Sequence, residues 1–245
     1  MITVEDVLKS KAYVKGGVAF STPEQYLGDF VNKADKLGAK LSARVDNKVV
    51  NANDDESLNE AFGRVLIEAK LGDERDGLSG TVGVLYSVDS MKPVVKTYYG
   101  DLVLACTNLC VFRAEDVFTG SILDGGDMDN FSRNYEEYLR HYFDKFEEYD
   151  KIIAQLKVSP IANKDVNTYM GNLLRYSVSV QGQYLGTNPI IGAAKSLFRS
   201  GTPYYIGKEE TNKWVVYNAV TEQLKKSSIA DQATKTLLLS KFFLN

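Results

Sequence analysis

The segment Asn130–Leu156, NFSRNYEEYLRHYFDKFEEYDKIIAQL, decides how this chain is read. Phe131, Tyr135, Tyr138, Tyr142, Phe146, Tyr149, Ile153 and Leu156 recur at three- and four-residue steps. That period gathers them on one face of a helix and leaves the charged residues on the other. The spacing predicts one long helix from about Asn130 to Leu156. Aromatic side chains at strict helical spacing are what burial demands, so the stripe reads as core or helix–helix contact rather than a base-stacking platform. Just upstream, Asp124-Gly-Gly-Asp-Met-Asp129 breaks the chain. Asp127 and Asp129 there suit a helix start, where carboxylates meet unpaired amides and the positive end of the dipole.

Before this segment the pattern is mixed. Residues 3–10 read as a short helix. Thr22 caps a stronger one, with Pro23 at its first position, a stripe of Tyr26, Phe30, Ala34 and Leu37, and Gly38 at its end. Lys40–Val45 and Lys48–Ala52 read as a hairpin around Asp46 and Asn47, and Ser57–Phe62 as a helical turn. Arg64–Leu71, Thr81–Val88, Pro93–Tyr98 and Leu102–Phe112 read as strands; the last is the most hydrophobic and is expected at the centre of a sheet. The connections are too short for helical crossovers, which favours antiparallel pairing. Past Pro160, ranges 164–180, 189–199, 212–226 and 229–243 carry further helical patterns, punctuated by Gly182, Gly186, Gly201 and Gly207. The expected class is α+β. Residues 1–125 form a mainly antiparallel sheet with flanking helices, residues 126–245 are mainly helical, and the two pack as one compact unit unlike an OB-fold.

Charge divides near the same point. Lys151–Asn245 holds 12 Lys and Arg against 5 Asp and Glu, a net +7; the first 150 residues hold 17 against 27, a net −10. Within Lys151–Lys208 Asp165 is the one acid, and Tyr169, Tyr176, Tyr184, Phe198, Tyr204 and Tyr205 are interleaved with the cations. Concentrated cations repel unless an anion is bound, and a polyanion with exposed π-faces uses both residue types. The candidate contacts are Arg175, Tyr176, Lys195, Arg199, Tyr204, Tyr205, Lys208, Lys213, Lys225 and Lys226. Tyr204 and Tyr205 follow Gly201-Thr-Pro203 in a loop, where neighbouring residues cannot all face one core. Arg199, Tyr204, Tyr205 and Lys208 are therefore expected to share one accessible surface. Lys225 and Lys226 also suit a helix C-terminus, where the dipole favours cations.

Catalytic signatures are missing. His141 is the sole histidine, lies in the long helix and has no His/Cys cluster around it in sequence, so it reads as a surface or interface residue. There is no G-x-S-x-G elbow, no phosphate-binding G-x-x-x-x-G-K-[ST] loop, and Gly80-x-x-Gly83 lacks the rest of a dinucleotide fingerprint. Asp127 and Asp129 lack the further oxygens of a calcium loop. Along one strand Cys106 and Cys110 would stand roughly 13 Å apart, beyond disulfide reach, and they read as buried thiols in a reducing cytoplasm. MITVEDVLKS does not read as a signal peptide, and the longest apolar runs are too short for a bilayer.

Two segments carry a resemblance. Tyr99–Phe112, YGDLVLACTNLCVF, resembles the C-x-N strand of a phage- and plasmid-encoded family of uncertain function, and Trp214–Glu222, WVVYNAVTE, is similar to its Y-N-A-x-T-E helix. In size and character the chain also resembles the phage single-stranded-DNA-binding proteins that act as cofactors of a phage-encoded RNA polymerase (the Drc type). That resemblance implies a fold unlike the five-stranded barrel, a preference for single strands and a role in middle transcription. The reading is a non-enzymatic phage protein that binds single-stranded DNA in the cytoplasm of the infected host and supports transcription or replication. It needs no cofactor and no membrane; phage RNA polymerase and a second copy of the chain are further partners. The alternative is a phage assembly or host-takeover protein that binds no nucleic acid.

Overall fold

The structure is a computed structural model and describes residues 2–50, 60–89, 92–103, 108–123, 125–179, 185–207 and 210–245. In chain order its elements are α1 (Val4–Leu8), β1 (Val14–Lys15), β2 (Val18–Ala19), α2 (Pro23–Lys36), β3 (Lys40–Val50), β4 (Glu60–Lys70), β5 (Leu78–Ser87), β6 (Val94–Val103), β7 (Asn108–Cys110), β8 (Val117–Ser121), α3 (Gly125–Arg140), α4 (Tyr142–Lys157), β9 (Pro160–Ile161), α5 (Asn163–Ser179), α6 (Thr187–Phe198), β10 (Thr211–Asn212), α7 (Lys213–Leu224) and α8 (Ile229–Leu244). The class is α+β, with the long strands in the N-terminal half and mostly helices after them. The chain folds into two compact units that do not follow chain order. One comprises Met1–Gly100, Glu115–Tyr142 and Ser228–Ala230; the other comprises Asp101–Ala114, Phe143–Ser227 and Asp231–Asn245.

In the first unit β3, β4, β5 and β6 lie side by side in that order, and β8 pairs antiparallel with Val94–Tyr98 of β6. The pairs β3–β4 and β4–β5 are antiparallel. β5, LSGTVGVLYS, is buried at every residue. It takes the interior place expected of Leu102–Phe112, which is not one strand: its described parts are the end of β6, the three-residue β7 antiparallel to it, and Val111 and Phe112 beyond. The reason is that β5 gains its burial from tyrosines. A β-carbon on Gly80 would sit 2.8 Å from the Tyr99 hydroxyl and 2.9 Å from that of Tyr142, and one on Gly83 would overlap the Tyr98 ring. The Tyr142 hydroxyl donates to the Gly80 carbonyl, and Tyr98 donates to the buried Glu68 carboxylate at 2.6 Å.

No hairpin forms at Asp46–Asn47. β3 runs straight through, with Asp46 opposite Arg64 and Lys48 opposite Phe62. A two-residue hairpin turn wants positive φ at both positions, which an Asp-Asn pair without glycine supplies poorly. Gly16–Gly17 supplies it, at φ 58° and 80°, and there β1 and β2 do form a hairpin. Of the helical turn expected over Ser57–Phe62, residues Glu60–Phe62 belong to β4 and the rest lie outside the described residues. In α2 the buried stripe is Pro23, Leu27, Phe30 and Ala34 rather than the expected set; Leu37 is exposed and Tyr26 leans on Tyr86, ring centroids 5.3 Å apart. Phe30 meets Tyr135 of α3 edge to face at 5.5 Å. Ser228–Ala230 join this unit through three bonds. Arg64 donates to the Ser228 hydroxyl at 2.7 Å, the Ile229 amide donates to Asp46 at 3.2 Å, and Lys96 donates to the Ala230 carbonyl at 2.5 Å.

The long helix is two helices. α3 ends at Arg140, α4 begins at Tyr142, and the exposed His141 lies between them. All eight stripe residues are buried, as core aromatics at this spacing should be. The stripe serves two cores: Phe131–Tyr142 belong to the first unit and Phe146–Leu156 to the second.

The second unit is built on α7. Val216, Tyr217, Asn218, Ala219, Val220, Thr221 and Leu224 are all buried, so the middle of the helix is enclosed on every side rather than along one stripe. Asn212 caps it, accepting from the Val215 amide at 3.0 Å. Gly192 of α6 lets Gln223 of α7 approach; a β-carbon there would stand 2.7 Å from the Gln223 Oε1. Tyr169 and Tyr176 of α5 meet Phe242 of α8 at 5.2 and 5.4 Å. Phe112 lies against Tyr149 at 5.0 Å and Tyr217 at 5.6 Å.

Candidate nucleic-acid interface

α6 buries Ile190, Ala193 and Leu197. Helical periodicity then turns Ile191, Lys195 and Phe198 outward, and all three are exposed, as is Arg199 at the helix C-cap. The chain returns through a tight turn. Gly201 takes φ 84°, a region that favours glycine. The Thr202 hydroxyl bonds to the carbonyls of Ser196 and Arg199, the Tyr205 amide donates to the Thr202 carbonyl at 3.2 Å, and the Ile206 amide donates to the Leu197 carbonyl at 3.0 Å. Ile206 is buried beneath the turn while Tyr205 points out at 47% exposure, close to the 43% of Phe198. Two part-open aromatic side chains and two cations thus share one helix end and the turn fastened to it.

The other candidates sort differently. Tyr204 is half-buried, and the Asn108 side-chain amide donates to its hydroxyl at 3.4 Å. Lys208 lies outside the described residues. Arg175 is exposed on α5, but the neighbouring Tyr176 is occupied by Phe242, and burial raises its hydroxyl pKa. Lys213 donates to the Phe243 carbonyl at 3.0 Å, closing the end of α8. Lys225 pairs with Glu222 at 2.7 Å. Lys226 is exposed and donates to the Gln223 Oε1 at 3.2 Å. Phe198 and Ile191 were absent from the predicted set; their signal is the helical step from the buried Ile190, Ala193 and Leu197. The described cations of the Lys151–Lys208 window, Lys151, Lys157, Lys164, Arg175, Lys195 and Arg199, are all exposed.

The two segments that carry the family resemblance meet inside the second unit. Asn108 of the first donates to the Asn218 carbonyl of the second at 3.1 Å. Tyr217 bonds to Ser240 at 2.9 Å, and Ser240 donates to the Val111 carbonyl at 2.5 Å. Asn108, Tyr217 and Ser240 are fully buried, so these residues fasten β7 to α7 and α8 and meet no solvent. Cys110 is also buried, whereas Cys106 lies outside the described residues. Asp127 is in the first turn of α3, where its carboxylate accepts from the Ser121 amide at 2.6 Å. Among the described residues there is no group of three His, Cys, Asp or Glu able to hold a metal ion, and no helix long and apolar enough to cross a membrane. Comparison with family models, with curated proteins and with solved structures finds no match.

Proposed function

We propose that this chain is a non-enzymatic single-stranded-DNA-binding protein whose contact surface is the outer face of α6 with its return turn. The observation that carries the reading is the exposure of Phe198 and Tyr205 beside Lys195 and Arg199 on one fastened turn. Stacking on an aromatic ring is worth about 1–3 kcal/mol per base and is indifferent to sequence. It needs unpaired bases, which sets single strands above duplexes. Lys195 and Arg199 supply the phosphate contacts, and a turn held by its own hydrogen bonds loses little freedom on binding. The resemblance adds a setting: the cytoplasm of an infected bacterium, phage transcription or replication, and a phage-encoded RNA polymerase as partner. A basic surface on that partner would suit the acidic first 150 residues.

The test is a fluorescence-anisotropy titration of labelled single-stranded DNA, duplex DNA and RNA at two salt concentrations. Tight, salt-sensitive binding of the single strand, well above the duplex, is expected. Absence of binding, or affinity unchanged by salt, defeats the reading. Ordered assembly by light scattering, unaltered by oligonucleotide and without nucleic-acid binding, would establish the assembly-protein alternative in its place.

A further inference from the structure

A cleft of about 570 Å³ opens in the second unit between the start of α6, the end of α7 and the first half of α8. Its volume suits a ligand of nucleotide size. Lys226 and Lys235 both line it, together with Ser227, Gln223, Thr187 and Asn188. No carboxylate is among its described lining residues. The hydrogen-bond partners of the two ammonium groups are neutral: Lys226 donates to the Gln223 Oε1 at 3.2 Å and Lys235 to the Ser227 hydroxyl at 3.0 Å. The nearby acids stand apart, with Glu222 held by Lys225 and Asp231 exposed one turn before Lys235. Lys226 lies just beyond α7, where a helix dipole by itself welcomes a cation. Lys235 lies within α8, where the dipole gives no such reason, so two cations converge on one neutral hollow without a structural need.

The third wall adds donors. Gly186, the residue before α6, offers no side chain to cap it, and the first turn holds no acidic residue. The leading backbone N–H groups of a helix have no partner within the helix. Two ammonium groups, uncapped amides and two hydroxyls make a set of donors matched to an oxyanion with several acceptor oxygens.

We propose that this cleft is a binding site for a phosphate group, carried by a free nucleotide or by a nucleic-acid strand. It is separate from the aromatic turn, which lies at the other end of the 12-residue α6, about 18 Å away. Neither site requires the other.

Isothermal titration of the full chain with deoxythymidine monophosphate, and separately with inorganic phosphate, tests it. Saturable one-to-one binding of the nucleotide is expected, weakened at least tenfold by Lys226→Ala with Lys235→Ala and unchanged by Lys157→Ala, an exposed cation at the end of α4. The pair Lys226→Gln with Lys235→Gln keeps the side-chain stems, so the same loss in that variant, with an unaltered circular dichroism spectrum, ties the effect to charge. Absence of saturable binding of either probe at millimolar concentration overturns the proposal, as does wild-type affinity in the Gln pair. Competition by oligothymidine with and without a 5′-phosphate then identifies the source. Competition by the phosphorylated strand alone assigns a strand end, by both the backbone, and by neither a free nucleotide; each of these keeps the site. Nucleotide binding that survives while single-stranded DNA fails to bind would sink the aromatic interface and leave the cleft standing.

Discussion

Gly83 and Tyr98 are a matched pair, as are Gly80 and the hydroxyl ends of Tyr99 and Tyr142. Tyr98 is fixed in turn by its bond to Glu68, which also accepts from Arg44 at 3.2 Å. The ring cannot retreat without giving up its bond to a buried carboxylate. Gly83→Ala should therefore lower stability by about 1–3 kcal/mol, the usual consequence of overfilling a packed interior. Urea denaturation measures it, and in a Tyr98→Ala background the same substitution should lose most of its effect. Equal losses in both backgrounds would exclude ring overlap as the cause. In the sequence, Gly80-x-x-Gly83 looked only like an incomplete nucleotide fingerprint. Its role depends on tyrosines distant along the chain, and no local pattern encodes such a match. The aromatic stripe was legible for the opposite reason, because each of its residues is separated from the next by one helical turn.

Helices follow from neighbouring residues, so most of them could be anticipated. Thr22 and Pro23 mark the start of α2, and the Thr22 amide donates to the Gln25 side chain at 2.9 Å. The break at His141 could not be read, because the aromatic step across it stays at four residues, from Tyr138 to Tyr142. The pattern of β3 reads as two strands because an Asp-Asn pair resembles a turn when its partner strand is unknown. At this scale α7 is the sensitive element. Asn212→Ala removes the acceptor of the Val215 amide and should cost about 1 kcal/mol, read from a thermal or denaturant midpoint. A second prediction concerns α2 and α3. Burial raises the carboxyl pKa of Asp29, but hydrogen bonds from Lys33, at 2.5 Å, and from the Tyr135 hydroxyl outweigh it and leave the pKa lowered. A lowered folded-state pKa stabilises above the unfolded value near 4 and is lost as pH falls through the folded value. Asp29→Asn should thus be less stable than the parent at pH 6, by well under about 1 kcal/mol because the site is largely solvated. The gap should close in acid below pH 4. A gap that widens there would contradict the assignment.

Across the whole molecule, the +7 of the last 95 residues against the −10 of the rest is the clearest asymmetry in the sequence. It could not say which cations are committed to structure. Lys213 and Lys225 are bound to a helix end and to Glu222, whereas Lys195 and Arg199 stand open. Each phosphate contact on a single strand contributes a slope of about −0.7 in log affinity against log salt. Replacing Lys195 and Arg199 by Ala should flatten the slope by about 1.4 if each makes one contact. Replacing Phe198 and Tyr205 by Ala should instead weaken binding at every salt concentration and leave the slope alone. The two pairs thus separate charge from stacking in one titration series. The interleaving of the two units bears on how the protein comes into being. Ser228–Ala230 complete the first unit, yet Phe143–Ser227 of the other unit, 85 residues, must be made between Tyr142 and them. At about 5–20 residues per second, the strands of that unit wait on the order of ten seconds for their last segment. The first unit therefore cannot finish folding until the 85 residues of its neighbour have been made, and a nascent chain stalled before Ser228 would expose an unfinished core to chaperones and proteases.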